Sequence, residues 1–141
     1  MDQILDRLWC GSYADAQRLC EPEAVGAPIT SVLNVSQYAY TNPYIATVHY
    51  PIQDEVVLPA ANWQVLTHLL SDLLVARCTV LVHCRLGKSR GPSLCAAYLM
   101  RCGFSAEKAL QWVKQRRVVA DPHPVTWQSV LAWSASPPHV L

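Results

Sequence analysis

The segment Val80-Leu81-Val82-His83-Cys84-Arg85-Leu86-Gly87-Lys88-Ser89-Arg90-Gly91 constrains this chain more than any other. An apolar run leads into a cysteine, a loop separates that cysteine from Arg90, and a helix-compatible run opening with Pro92 follows. That order predicts a buried strand, a tight loop and a helix N-terminus. A loop of this kind turns its backbone N–H groups inward and binds the non-bridging oxygens of a phosphoryl group. A helix starting where the loop ends adds its positive dipole end. Arg90 adds two parallel donors matched to two phosphate oxygens. The same positive cup favours the thiolate of a cysteine at its base, which is the nucleophilic form. Gly87 suits a position needing a tight bend or a positive φ. The residues alone therefore nominate Cys84 as nucleophile and Arg90 as phosphate clamp.

At 141 residues and 52% hydrophobic, the chain has material for one domain with a real core. We read 1–141 as a single domain, with 134–141 as a short tail. A formal net charge of +1 argues against stable nucleic-acid binding or bulk attraction to acidic membranes, so any preference for anions is local. The opening Met1-Asp2-Gln3-Ile4-Leu5-Asp6-Arg7 is charged and unlike a secretion signal, and no stretch reaches the ~18 apolar residues of a membrane span. Cys10, Cys20, Cys78, Cys84, Cys95 and Cys102 make no CxxC pair and no zinc-type spacing. They read as free thiols in a reducing, cytoplasmic setting. Neither a metal nor another cofactor is expected, and the expected assembly is a monomer.

Along the chain, Ile4 to Trp9 reads as a first strand, and Ser12 as the cap of a helix over Tyr13 to Leu19. Pro22, Gly26 and Pro28 break the chain. Ile29–Val35 and Ala46–Ile52 read as strands, joined by a loop that sets Tyr38, Tyr40 and Tyr44 on the rim. Trp63, Leu66, Leu69, Leu70, Leu73 and Leu74 define one face of a helix over Ala60–Ala76, with His68 on its solvated side. The run Thr79–His83 suits a central parallel strand. Pro92 marks the first helical position of a buried helix ended by Gly103. Ser105 caps the next helix, whose last turn carries Lys114, Arg116 and Arg117 as cations at a C-terminus. Val125 to Trp133 makes a final helix. Alternating strands and helices predict an α/β fold, a central mostly parallel sheet flanked by helices. The loop would lie at the carboxyl end of a central strand, where such folds place ligands.

Displacing an alkoxide or phenoxide from phosphorus needs a proton on the leaving oxygen, so a general acid must sit near the loop. Asp54, in a polar turn after a strand, is the best placed. Glu55 is its immediate competitor; Asp121 and Asp72 are weaker, Asp72 lying on a helix's outer face.

His83-Cys84-Arg85-Leu86-Gly87-Lys88-Ser89-Arg90 resembles the HCxxGxSR signature of the dual-specificity branch of the cysteine-dependent protein tyrosine phosphatases. Ile4 to Ser12 with Asp15-Ala16, Ser31 to Ser36, Tyr50 to Asp54 and Ala97 to Met100 are similar to further segments of that family, in the same order. The resemblance implies the phosphatase-type fold and a phosphocysteine intermediate on Cys84. It implies phosphate held by Arg90 and the amides of Arg85, Leu86, Gly87, Lys88 and Ser89. Asp54 would act first as acid and then as base, and His83 would tune the thiolate. It requires no metal. A chain this short leaves little room for the loop that deepens the pocket of tyrosine-only relatives. The expected substrates are therefore proteins or peptides carrying phosphotyrosine, phosphoserine or phosphothreonine.

Two residues depart from the pattern. The family usually has Ser or Thr after the arginine, a hydroxyl that assists breakdown of the phosphocysteine; here the residue is Gly91, with Ser89 and Ser93 as partial substitutes. Arg85 and Lys88 load the loop with charge, which resembles the phosphoinositide-phosphatase branch, although both side chains would also suit plain solvent exposure. Sulfurtransferases and arsenate reductases share the cysteine-to-arginine spacing without needing Asp54. A phosphate-binding interaction module is the non-enzymatic alternative.

Overall fold

A computed structural model of the chain describes residues 1–24 and 28–135; Gly26 and most of the expected tail lie outside these. The strands are β1 (Asp2–Leu5), β2 (Leu8–Gly11), β3 (Ser31–Asn34), β4 (Ala46–His49) and β5 (Val80–His83). The helices are α1 (Tyr13–Arg18), α2 (Ala60–Val75), α3 (Arg90–Arg101), α4 (Ala106–Arg116) and α5 (Pro124–Ala135). The sheet order is β1-β2-β5-β3-β4. β2, β5, β3 and β4 run parallel, and β1 is antiparallel to β2. The expected mostly parallel sheet with flanking helices is what the chain forms. β5 is its middle strand, and Val80 to His83 are all buried. A strand covered on both faces carries an unbroken apolar run rather than an alternating one.

Alternate residues along the strands supply two cores. Leu33, Val80 and Val82 join Trp63, Leu66, Leu70, Leu94, Leu99, Val113 and Val130 beneath α2 to α5. Val32 and Leu81 face the other way, onto Ala16 of α1 and Leu19 just beyond it. Ser12 caps α1 in a reciprocal box: its hydroxyl accepts from Asp15 N–H (3.1 Å), and its own N–H donates to the Asp15 carboxylate (2.9 Å). Burial pushes the Asp15 carboxyl up, but the bonds from Ser12 and the Met1 ammonium outweigh this and hold it below its ordinary range. No described helix is long and apolar enough to cross a membrane.

Several boundaries differ from the sequence reading. The expected first strand is a hairpin, with Leu5 paired to Leu8 across Asp6-Arg7. Long-range contacts fix that turn: Arg7 Nη1 donates to Leu74 O (2.5 Å), and Val80 N–H donates to Arg7 O (2.8 Å). β4 stops at His49, because Pro51 has no N–H to continue the ladder. Tyr50 and Ile52 still donate to Asn34 and Val35, which carries the chain alongside β3 towards Asp54. α3 begins at Arg90, not Pro92. Proline is tolerated there because N–H groups in a first turn lack intrahelical partners. Ser134 and Ala135 belong to α5 rather than to a tail.

Candidate active site

β5 delivers Cys84 to the base of a cleft of about 600 Å³. Its walls are formed by Asp54, Glu55, Arg85, Leu86, Lys88, Ser89, Arg90, Asp121, Pro122, His123 and Pro124. Cys84 is 2% exposed. The loop after it has its carbonyls held from outside. Arg85 O accepts from Tyr13 N–H (2.8 Å) and Lys88 O from Asp121 N–H (2.7 Å). Gly87 O accepts from Arg117 Nε (2.7 Å) and Leu86 O from Arg117 Nη2 (3.5 Å). Within a planar trans peptide the N–H points opposite the C=O. Four outward carbonyls therefore leave the amides of Leu86, Gly87, Lys88 and Ser89 directed to the cleft side. Gly87 takes φ +70°, and a Cβ there would run into the Arg117 guanidinium and Gly11 O, so the position requires glycine.

Arg90 is 8% exposed; its Nη1 donates to Ile52 O (3.1 Å), and its Nε has no partner among the described residues. A buried guanidinium with an unsatisfied donor is costly to a fold, and an anion in the cup would supply the missing acceptor. Arg85, Leu86 and Lys88 are exposed, so the two cations reach solvent while still flanking the cleft.

His83 is fully buried. Burial lowers its pKa and favours the neutral ring. A neutral imidazole has one N–H, and the contacts assign it: Nδ1–H donates to Cys84 O (2.9 Å), while Nε2 accepts from Tyr40 OH (2.8 Å). Tyr40 is thus more than a rim aromatic. It bonds His83 and meets Tyr13 edge-on at 5.6 Å, whereas Tyr38 and Tyr44 are exposed.

Asp54 sits on the loop between β4 and α2, half-buried, beside the phosphate loop. Its Oδ1 accepts from Ser89 Oγ (2.8 Å), Thr126 Oγ1 (2.8 Å) and Glu55 N–H (3.0 Å). Oδ2 has no hydrogen-bond partner among the described residues. Ser89 Oγ in turn accepts from His123 N–H (2.9 Å), so one hydroxyl joins three segments. Glu55 and Asp121 also line the cleft, but Asp72 lies elsewhere, on a groove with Gln64, Val65, His68 and Leu69. Thr126, Ser129 and His123 had no place in the sequence reading of the site. The i, i+3 spacing of Thr126 and Ser129 puts both hydroxyls on one face of α5, where Ser129 accepts from Leu58 N–H (2.9 Å). Among the described residues no group of three or more metal-ligating side chains comes together.

Gly91 is buried in the first turn of α3. A Cβ built there would lie 3.4 Å from Cys10 Sγ and 3.6 Å from Cys84 Sγ, which is ordinary contact. A Cβ is therefore accommodated beside the Cys84 sulfur. Ser89 cannot substitute for it, because its hydroxyl is committed to Asp54 and His123. Ser93 Oγ is buried and has no hydrogen-bond partner among the described residues. We expect wild-type protein to show a burst of product followed by slow turnover. Gly91→Ser should raise the slow rate roughly tenfold, the equivalent of one hydrogen bond to a charged group. Rapid-quench kinetics check this; equal rates for both steps, unchanged in Gly91→Ser, contradict it.

The catalytic-domain family of dual specificity phosphatases matches residues 8–136. The chain belongs to the dual-specificity phosphatase family. Its reaction class is therefore that of a protein phosphatase, a phosphoric monoester hydrolase, and the sulfurtransferase and arsenate reductase alternatives fall away. Human dual specificity phosphatase 28 is 35% identical over 137 residues, covering 91% of this chain and 74% of its own length. Its crystal structure superposes with a TM-score of 0.81 at 28% identity, covering 95% of each chain. A mouse putative dual specificity phosphatase, solved in complex with zinc tungstate, superposes with a TM-score of 0.82 at 28% identity, covering 94% of this chain and 85% of its own. Chicken dual specificity protein phosphatase 4 is 35% identical over 126 residues, which are 86% of this chain but 33% of that longer protein.

Proposed function

We propose that residues 1–141 act as one catalytic domain hydrolysing phosphotyrosine and phosphoserine or phosphothreonine on proteins through a phosphocysteine on Cys84. The observation that carries this is the cup itself: a buried cysteine beneath inward amides, next to a buried arginine with an unused donor. In the first step Cys84 Sγ bonds to phosphorus as the bond to the leaving oxygen breaks. The electron pair stays on that oxygen, which takes a proton from Asp54. In the second step Asp54 takes a proton from water, the water oxygen bonds to phosphorus, and the thiolate departs, leaving inorganic phosphate. Arg90 and the amides from Arg85 to Arg90 hold the equatorial oxygens, where charge gathers in the transition state. His83 and Tyr40 fix the carbonyl of Cys84 itself. The mouse relative's zinc tungstate is in keeping with an oxyanion-binding fold.

The free cysteines favour the cytoplasm as the working compartment, and a monomer suffices for every group invoked. A second substrate reading has its own observation: Arg85 and Lys88 are exposed beside the cleft, where they would meet the further charges of an inositol phospholipid. The experiment is a side-by-side assay of phosphotyrosyl, phosphoseryl and phosphothreonyl peptides against phosphoinositides and phosphorylated RNA ends. Faster peptide hydrolysis supports the protein reading. Preference for an inositol lipid, lost in Arg85→Ala with Lys88→Ala, overturns it. Stoichiometric release of the leaving alcohol or phenol, with the phosphoryl group retained on Cys84 and no turnover, identifies an interaction module instead.

A further inference from the structure

We propose that Arg117 is a positioning residue for phosphate capture, gripping the outer edge of the reactive loop so that its amides stay turned to the cleft. This rests on the reading of the Cys84–Arg90 loop as the phosphate site. The sequence reading places Arg117 among cations at the end of α4, and the structure corrects that. At the C-cap the backbone leaves helical geometry (φ −122°, ψ 94°), and the side chain is buried, the residue being 5% exposed. Its neighbours behave differently: Lys114 is exposed, and Arg116 lies over the Trp112 ring.

All three nitrogens of the fork are used. Nε donates to Gly87 O (2.7 Å), Nη2 to Leu86 O (3.5 Å), and Nη1 to the Asp2 carboxylate (2.7 Å) and to Cys10 O (3.5 Å). Only arginine offers donors in that planar array. Burying such a cation requires a counter-charge, which Asp2 brings from β1 at the sheet edge. A residue serving the core alone would not need this arrangement, since an apolar side chain fills space without it.

The grip falls where the loop is softest. Gly87, at φ +70°, is the one residue between Cys84 and Arg90 free of a Cβ constraint. Rotation of the peptides on either side of it would turn a carbonyl oxygen towards the bound anion and remove a donor. Arg117 holds both of those carbonyls outward. Lysine would satisfy one of them as a point charge, and methionine neither.

The test uses the full chain, with para-nitrophenyl phosphate as substrate and inorganic phosphate as competing ligand. Arg117→Met should raise KM and the phosphate inhibition constant together by roughly tenfold, the loss expected for one charged hydrogen bond, with kcat changed less than KM. Arg117→Lys should recover part of this. Asp2→Asn, which keeps the guanidinium and an acceptor oxygen but removes the counter-charge, should give a smaller change of the same sign. Unchanged KM and phosphate inhibition in folded Arg117→Lys overturn the proposal, as does a fall in Tm with no kinetic change. If Arg117→Met does not fold, Arg117→Lys and Asp2→Asn decide by the same readouts. Wild-type protein that is indifferent to phosphate would instead sink the underlying reading of the loop.

Discussion

Cys84→Ser should leave a folded protein with no measurable turnover, a fall of at least ~10⁴-fold on para-nitrophenyl phosphate. The substitution is nearly isosteric at a position 2% exposed, so the cup survives. A serine hydroxyl needs a base to become a nucleophile, and the adjoining imidazole of His83 is not available. His83 presents Nδ1–H to the Cys84 carbonyl and commits Nε2 to Tyr40. Phosphate should still inhibit or bind, because Arg90 and the loop amides are untouched. Turnover by Cys84→Ser within a hundredfold of wild type (an allowance of about 2.7 kcal/mol in barrier) would reject the covalent route.

Asp54→Asn should cost about 10²–10⁴-fold in kcat/KM, the range of a lost general acid. Asparagine keeps a side-chain oxygen where Oδ1 accepts from Ser89, Thr126 and Glu55, so the loop should stay in place and only the proton be lost. The deficit should be smallest for para-nitrophenyl phosphate, whose leaving group scarcely needs a proton, and largest for phenyl phosphate and phosphoseryl peptides. As pH rises, a reaction dependent on a protonated acid slows, and that alkaline limb should flatten in the variant. Glu55→Gln and Asp121→Asn are the controls, since both side chains also reach the cleft. If either of them, rather than Asp54→Asn, shows the leaving-group dependence, the acid has been misassigned.

The strand, loop and central helix were legible because their constraints are local. A doubly covered strand must be apolar throughout, and Gly87 must be free of a side chain. The helix Ala60–Val75 announces itself by the spacing of Trp63, Leu66, Leu70 and Leu74. The hairpin was missed because Asp6-Arg7 carries no glycine or proline and is held by Leu74 and Val80 instead. The second layer of the site was equally hidden. Thr126 reaches Asp54 across 72 residues, and Arg117 reaches Asp2 across 115. An arginine near a helix end looks the same in sequence whether it meets water or a buried carbonyl. The residues proposed to carry the chemistry stand out in sequence by their own motif, whereas those that hold them in place are visible only once the chain is folded.

Ser89 has one more effect. By accepting from His123 and donating to Asp54, it ties the loop of Asp54, the proposed acid, to the phosphate loop. Many enzymes close a lid over each substrate and surrender conformational freedom every time they do so. Here Ser89 and Thr126 hold Asp54, the proposed acid, beside the phosphate loop through contacts made within the chain, so its placement calls for no substrate contact. Turnover should accordingly be insensitive to solvent viscosity, and small aryl phosphates should gain as much from Asp54 as large phosphoproteins with equally poor leaving groups.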